Sequence, residues 1–187
     1  EIDLSDKNVN IEVGIANDII GKRGETVSSF ASRNQSDSVF IVGAVNGDFF
    51  GGDPHSAQNC MVIDGAFAKG VVLDRTLFGI TEDKKPIAEN IVFDGSAVIE
   101  NDTLVMDALN DKPNDFSVIY LNKFYGNKTA VDDSTIAVLL ENNKLQKPNE
   151  WKTLRIKNII ENIDTVLFKQ NESVLLIHHK IADQIPE

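Results

Sequence analysis

The chain has a single cysteine, Cys60, among 187 residues. One thiol excludes an intrachain disulfide and any cysteine-built zinc site within the chain. As a residue, Cys60 reads as a small buried hydrophobe. Positive charge is also scarce: 18 Lys and Arg stand against 29 Asp and Glu, a net charge of −11. That balance argues against non-specific attachment to nucleic acid or to an anionic membrane, since both need a basic surface. Any anion site must therefore be local. Long apolar runs are missing too. The longest, residues 38–45 and 174–177, fall far short of the roughly 20 residues of a membrane-spanning helix. There is no phosphate-binding glycine loop, no internal repeat and no low-complexity stretch. The start Glu1-Ile2-Asp3-Leu4 lacks the basic residues and apolar stretch of a signal peptide. A chain beginning at Glu reads as a processed product or an excised segment.

What remains is ordinary globular material, 42% hydrophobic and 25% charged, enough for one domain with a real core. Val9, Ile11, Val13 and Ile15 alternate with polar or small residues, the period of a half-buried strand. Val27, Phe30 and Ala31 at i, i+3 and i+4 predict a short helix over residues 25–33, with Glu25 or Thr26 in its first turn. Residues 39–45 form a continuous apolar, β-branched run and predict a buried central strand. Asp64-Gly65 and Asp94-Gly95 each sit between short apolar segments and predict hairpin turns. A third hairpin is expected around residues 82–85. Further strands are expected at 118–121, 135–140, 154–156, 165–168 and 174–177. The spacing predicts an α+β fold, predominantly antiparallel or mixed β-sheet with one or two short helices.

The predicted strand 39–45 runs straight into Asn46-Gly47-Asp48 and then a glycine-rich loop, so polar groups would be held rigidly at a strand end. The run Ala44-Val45-Asn46-Gly47-Asp48-Phe49-Phe50 resembles the hallmark of the phosphodiester glycosidase family, a strand ending in Asn-Gly-Asp/Gly-Phe/Tyr-Phe. Other matches follow the family's order: Glu25-Thr26-Val27 before it, then Val62-Ile63-Asp64-Gly65, Arg75 with Phe78-Gly79-Ile80, Leu109-Asn110, and Tyr125-Gly126-Asn127-Lys128-Thr129. The series spans residues 8–140 or so. The sequence departs from the family in two places. Pro54 leads into His55-Ser56-Ala57 where the family has a glycine, and the later Asp-Gly-Gly-Gly-Ser-type segment is absent. The resemblance therefore implies that residues 1–187 are the N-terminal portion of such a domain, completed by a second chain or segment.

The resemblance implies cleavage of a sugar-1-phosphodiester at the anomeric carbon through an oxocarbenium-like state. A carboxylate near that carbon stabilises positive charge or orients water. The acidic phosphate leaving group is stabilised by cations or backbone donors. Asp48 is the candidate carboxylate, weighed against a turn aspartate bonding its own backbone. Asn46 suits sugar hydroxyls or a strand-end cap. Arg75 matches two phosphate oxygens, weighed against a surface arginine paired with an acid such as Asp74. These three form the candidate catalytic set. Gly47, Phe50, His55 and Asn110 form the candidate substrate-binding set, with His55 weighed against a plain loop histidine. His178 and His179 point to opposite faces of a strand and cannot jointly hold a metal. No metal and no cofactor are expected. The expected activity is hydrolysis of a sugar-1-phosphodiester. The alternative is a non-catalytic carbohydrate- or cell-wall-binding module of the same fold. Either way the expected ligand is a carbohydrate or sugar phosphate, met outside the cell or at its surface.

Overall fold

The computed structural model describes residues 2–20, 22–51, 56–71, 75–113 and 117–182. A 3-10 turn (Ala16–Asp18) precedes helix α1 (Val27–Asn34). The strands then run β1 (Phe50–Gly51), β2 (Ser56–Ala57), β3 (Met61–Ile63), β4 (Ala66–Val71), β5 (Arg75–Ile80), β6 (Pro86–Ile91), β7 (Gly95–Ile99) and β8 (Asp102–Met106). They continue with β9 (Ala108–Leu109), β10 (Val118–Leu121), β11 (Lys128–Ala130), β12 (Thr135–Glu141), β13 (Arg155–Ile160), β14 (Thr165–Leu167) and β15 (Glu172–His178), before the short helix α2 (His179–Ala182). The fold is α+β and dominated by sheet, as the turn spacing predicts.

A seven-stranded sheet in the order β13-β12-β15-β10-β9-β4-β3 forms the centre. Its β9–β10 pair is parallel and its other pairs are antiparallel. The sequences of β10, β12 and β15 explain why they lie in the middle. Successive side chains of a strand go to opposite faces. Ile119, Leu121, Ala137, Leu139, Val174 and Leu176 pack together with Val166 and Phe168 on one face. Val118, Tyr120, Val138, Leu140, Leu175 and Ile177 pack with Leu104 and Phe93 on the other. A strand covered on both faces needs an unbroken apolar run rather than an alternating one. Register ties each face across strands, with Leu176 opposite both Ile119 and Ala137, and Val174 opposite Leu121 and Leu139. The antiparallel ribbons β11–β14 and β7–β8 supply Val166 and Leu104 as the two covers.

Helix α1 forms where it is predicted. Thr26 caps it, its hydroxyl accepting from the Ser29 N–H at 3.2 Å. The Asp64-Gly65 hairpin also forms, joining β3 to β4 with φ of 50° and 72° at the two turn residues, the positive pair that a two-residue hairpin loop demands. The β5–β6 hairpin turns over residues 82–85 as expected.

Three expectations fail. Residues 9–15 carry no strand; Lys84 Nζ holds this stretch by donating to the carbonyls of Asp6 and Val9 at 3.0 and 2.8 Å. Residues 39–45 carry no strand either, and they are not buried: Val42 is 86% and Val45 88% exposed. An apolar run becomes a central strand only if partners bond both its edges and cover both its faces, and no described strand pairs with this one. The Asp94-Gly95 hairpin is displaced as well. Gly95 opens β7 instead, and β7 turns into β8 through Glu100, at φ 55°, and Asn101. Gly95 serves close approach: a Cβ there would lie 2.6 Å from the ring of Phe93, which is buried in the core.

Candidate functional site

Two segments of the ordered series meet in one place. Asn110 ends β9 at φ 55° and is fully buried. Its amide nitrogen donates to the Ala68 carbonyl and to Asn122 Oδ1, both at 2.7 Å, while its oxygen accepts from the Asn122 N–H at 2.8 Å. Asn122 in turn donates to the Phe67 carbonyl at 3.3 Å. The two asparagines lock the ends of β4, β9 and β10 together. Asn110 thereby shapes the wall of a pocket of about 230 Å³ in which Asp111, Lys112, Tyr125, Gly126 and Lys128 also take part. Gly126 sits at φ 130°, a conformation that side chains strongly disfavour, so the glycine of the aromatic-Gly-x-x-Thr segment has a backbone reason.

The pocket is mixed in charge, with Ile19 and Ile20 adding an apolar wall. Asp111 pairs at 2.8 Å with Lys69, an ammonium almost wholly buried. Burial pushes the Tyr125 phenol up, and the Asp111 charge adds to this, so it remains a neutral donor. Lys22, Lys112 and Lys128 line the pocket as exposed cations. Among the described residues no carboxylate lies within ion-pair distance of these three ammonium groups. A small anion bearing hydroxyls suits this set: lysines for the charge, a phenol and a carboxylate for the hydroxyls.

The predicted catalytic set lies elsewhere. Asn46 Nδ2 donates to the Asp48 carbonyl at 2.8 Å. One carboxylate oxygen of Asp48 accepts the backbone N–H groups of Gln58 and Asn59, each at 3.0 Å, and the other accepts from the Asn59 amide. Asp48 thus ties the segment before β1 to the segment after β2, its carboxylate held by three donors. The Asn59 oxygen is buried and has no hydrogen-bond partner among the described residues. Gly47 is exposed. Phe50 opens β1, paired with Ala57. Arg75 is the exposed first residue of β5, paired in register with Ile91, and no described hydrogen bond or ion pair links it to Asp48. His55 lies outside the described residues. Among the described residues of the predicted site, only Asn110 lines this pocket.

One further cluster carries a familiar residue set. Ser134 Oγ lies 3.0 Å from His178 Nε2 and donates to Asp132 at 2.7 Å. The Lys180 N–H donates to His178 Nδ1 at 3.2 Å. That bond leaves the proton on Nε2, so the imidazole donates to the hydroxyl instead of accepting its proton, the reverse of nucleophile activation. Asp132 also accepts from Thr135 at 2.7 Å and is held below its ordinary carboxylate range, first by Thr135 and then by Ser134. This is the capped turn that starts β12. Among the described residues no group of three or more His, Cys, Asp or Glu could hold a metal ion, and no helix is long and apolar enough to cross a membrane.

The pocket residues Asp111 and Lys112, and Lys69 paired with Asp111, escape sequence reasoning because none is singled out by a motif. The pairing of Lys69 with Asp111 is visible only once β4 lies beside β9. No family model matches the chain, and no curated protein or solved structure shows significant similarity to it.

Proposed function

We propose that this chain acts in the hydrolysis of a sugar-1-phosphodiester, with the Asn110 pocket taking the phosphate-bearing ligand outside the cytoplasm. The supporting observation is convergence. Leu109-Asn110 and the Tyr125–Thr129 segment, two members of the ordered series, border one pocket ringed by Lys22, Lys112 and Lys128. The lysines hold the phosphate, and Asp111 and Tyr125 meet hydroxyls. The bond that breaks joins the anomeric carbon to the phosphate oxygen; water adds to the carbon and the phosphate leaves as an anion. The resemblance, and not the pocket, assigns Asp48 to the developing positive charge; Asp48 does not line this pocket.

A second reading, binding without chemistry, is favoured by one observation: both carboxylate oxygens of Asp48 are taken up by donors of Gln58 and Asn59, just after β2. A carboxylate committed to that clamp acts as an anchor.

The test uses a methyl phosphodiester of N-acetylglucosamine 1-phosphate with the purified chain, following sugar release and, by calorimetry, binding. Release that Asp48→Asn lowers by about 10²–10⁴-fold, in a variant whose melting is unchanged, supports hydrolysis. Binding without release, weakened by Lys112→Gln with Lys128→Gln, supports the binding module. Absence of binding removes both readings, since the lining of the Asn110 pocket lies within this chain; absence of release alone is what a site completed by a second segment gives.

A further inference from the structure

A second cleft lies where the loop after β12 folds back over the start of β15. It measures about 810 Å³, within the roughly 300–1,000 Å³ of typical ligand sites. It shares no lining residue with the Asn110 pocket, so its role stands apart from the hydrolase reading. Four lysines line it, Lys123, Lys144, Lys147 and Lys152, against two carboxylates, Glu150 and Glu172. In a chain of net charge −11, four cations in one cleft are a local reversal of sign.

The carboxylates do not cancel them. Glu172 is already paired with Lys157, and its second oxygen accepts the Lys169 N–H at 2.7 Å. Glu150 accepts the backbone N–H of Lys147 at 3.3 Å. Among the described residues no carboxylate lies within ion-pair distance of the ammonium of Lys123, Lys144, Lys147 or Lys152. Lys152 is fixed instead by a neutral partner, donating to Asn142 Oδ1 at 2.6 Å. Asn142 is buried and donates to the Tyr120 hydroxyl at 2.8 Å, and that hydroxyl is also bonded by Gln146 at 3.0 Å. The cation is thus held from the core outward. Burial first, and then the nearby Lys144, disfavour its charge, while Glu150 partly offsets them; an arriving anion would relieve the remaining cost. Between the lysines the lining is amide: Asn142, Asn143, Gln170 and Asn171. Amide side chains both donate and accept, which is what hydroxyl groups require.

We propose that this cleft binds an acidic oligosaccharide, a sugar chain carrying carboxylate or phosphate groups, with the lysines on the anionic groups and the amides on the hydroxyls. The protein supplies its own reporter. Its single tryptophan is Trp151, between the lining residues Glu150 and Lys152 and 76% exposed.

The experiment is a Trp151 fluorescence titration of the full chain, paired with calorimetry. The probes are trigalacturonate, a phosphorylated maltotriose, neutral maltotriose and inorganic tripolyphosphate. At least one acidic trisaccharide should bind, and which one does identifies the anionic group. Maltotriose and tripolyphosphate should each bind at least about tenfold more weakly, since each lacks half of the recognition. Binding should weaken with added salt. Lys144→Gln with Lys152→Gln should weaken it at least about tenfold, while Lys22→Gln with Lys128→Gln in the other pocket should leave it unchanged. Should the Lys152 variant fail to fold, Lys144→Glu with Lys147→Glu changes only exposed side chains and carries the same expectation. Three results would each overturn the proposal: no binding of either acidic trisaccharide, neutral maltotriose or tripolyphosphate binding as tightly, or lysine variants that bind unchanged.

Discussion

Asn110 shows how much one residue can decide. Its φ of 55° lies in the left-handed region, which asparagine tolerates better than most side chains. Its amide satisfies groups on β4 and on the chain just after β10, in a site without solvent. Asn110→Ala leaves the Ala68 carbonyl and the Asn122 N–H short of a partner in the interior, while Asn122 Oδ1 keeps the Phe124 N–H, and a loss of about 2–3 kcal/mol is expected. Urea unfolding measures it, and a variant as stable as the parent would remove Asn110 as the strut of the pocket. Gly126 makes a second residue-scale prediction. At φ 130°, Gly126→Ala should cost about 1–3 kcal/mol through backbone strain, seen as a drop of several degrees in Tm.

Among the elements, α1 depends most on a few polar contacts, because none of its residues is buried. Glu25, one position before the cap Thr26, accepts from Arg33 Nε at 2.8 Å and from the Asn17 N–H at 2.9 Å, so the helix end is tied to the segment before it. Arg33 also pairs with Asp18 at 2.8 Å and lies over the Phe30 ring. These contacts, Arg33 first, hold the Glu25 carboxyl down from 4.5 to about 2. A folded-state pKa below the unfolded one means stabilisation that is complete above about 4.5 and lost as pH falls toward about 2. Glu25→Gln should therefore melt at lower temperature than the parent at neutral pH, with the gap closing across that window. A gap that stays constant down to pH 2 would show that the clamp contributes nothing. The central strands behave differently, since apolar contact holds them. Leu121 is fully buried between Ile119 neighbours and β15, and Leu121→Ala should cost about 2–5 kcal/mol, measured by the same urea titration.

For the whole molecule, two surface features oppose one another. The net charge of −11 repels copies of the chain from each other. Val39, Phe40, Val42, Val45 and Phe49 are between 50% and 88% exposed along one short stretch, and such a cluster promotes association. Light scattering should show self-association rising as salt screens the charge. Phe40→Ser with Val42→Ser should suppress that rise while leaving Tm unchanged. A chain that stays monomeric at high salt would show that the exposed stretch does not drive contact.

The sequence by itself determined the sheet-rich class, the helix that begins near Glu25 or Thr26, the Asp64-Gly65 hairpin and the existence of strands β10, β12 and β15. Each of these follows from local chemistry: a hydroxyl in capping position, a pair of residues that accept positive φ, or apolar runs with room for both faces to be covered. Asn110 and the Tyr125–Thr129 segment were legible as motif members, though not that they share a pocket. Only the tertiary structure decided that residues 39–45, as apolar as β15, find no ladder partner. Only it decided that Gly95 yields space to Phe93 instead of forming a turn. It also set Lys69 against Asp111, and gathered Lys123 with the lysines of the 142–152 loop around one cleft. Strand pairing and charge proximity join residues far apart in the chain, and a periodicity read along the chain carries no term for what lies across from it.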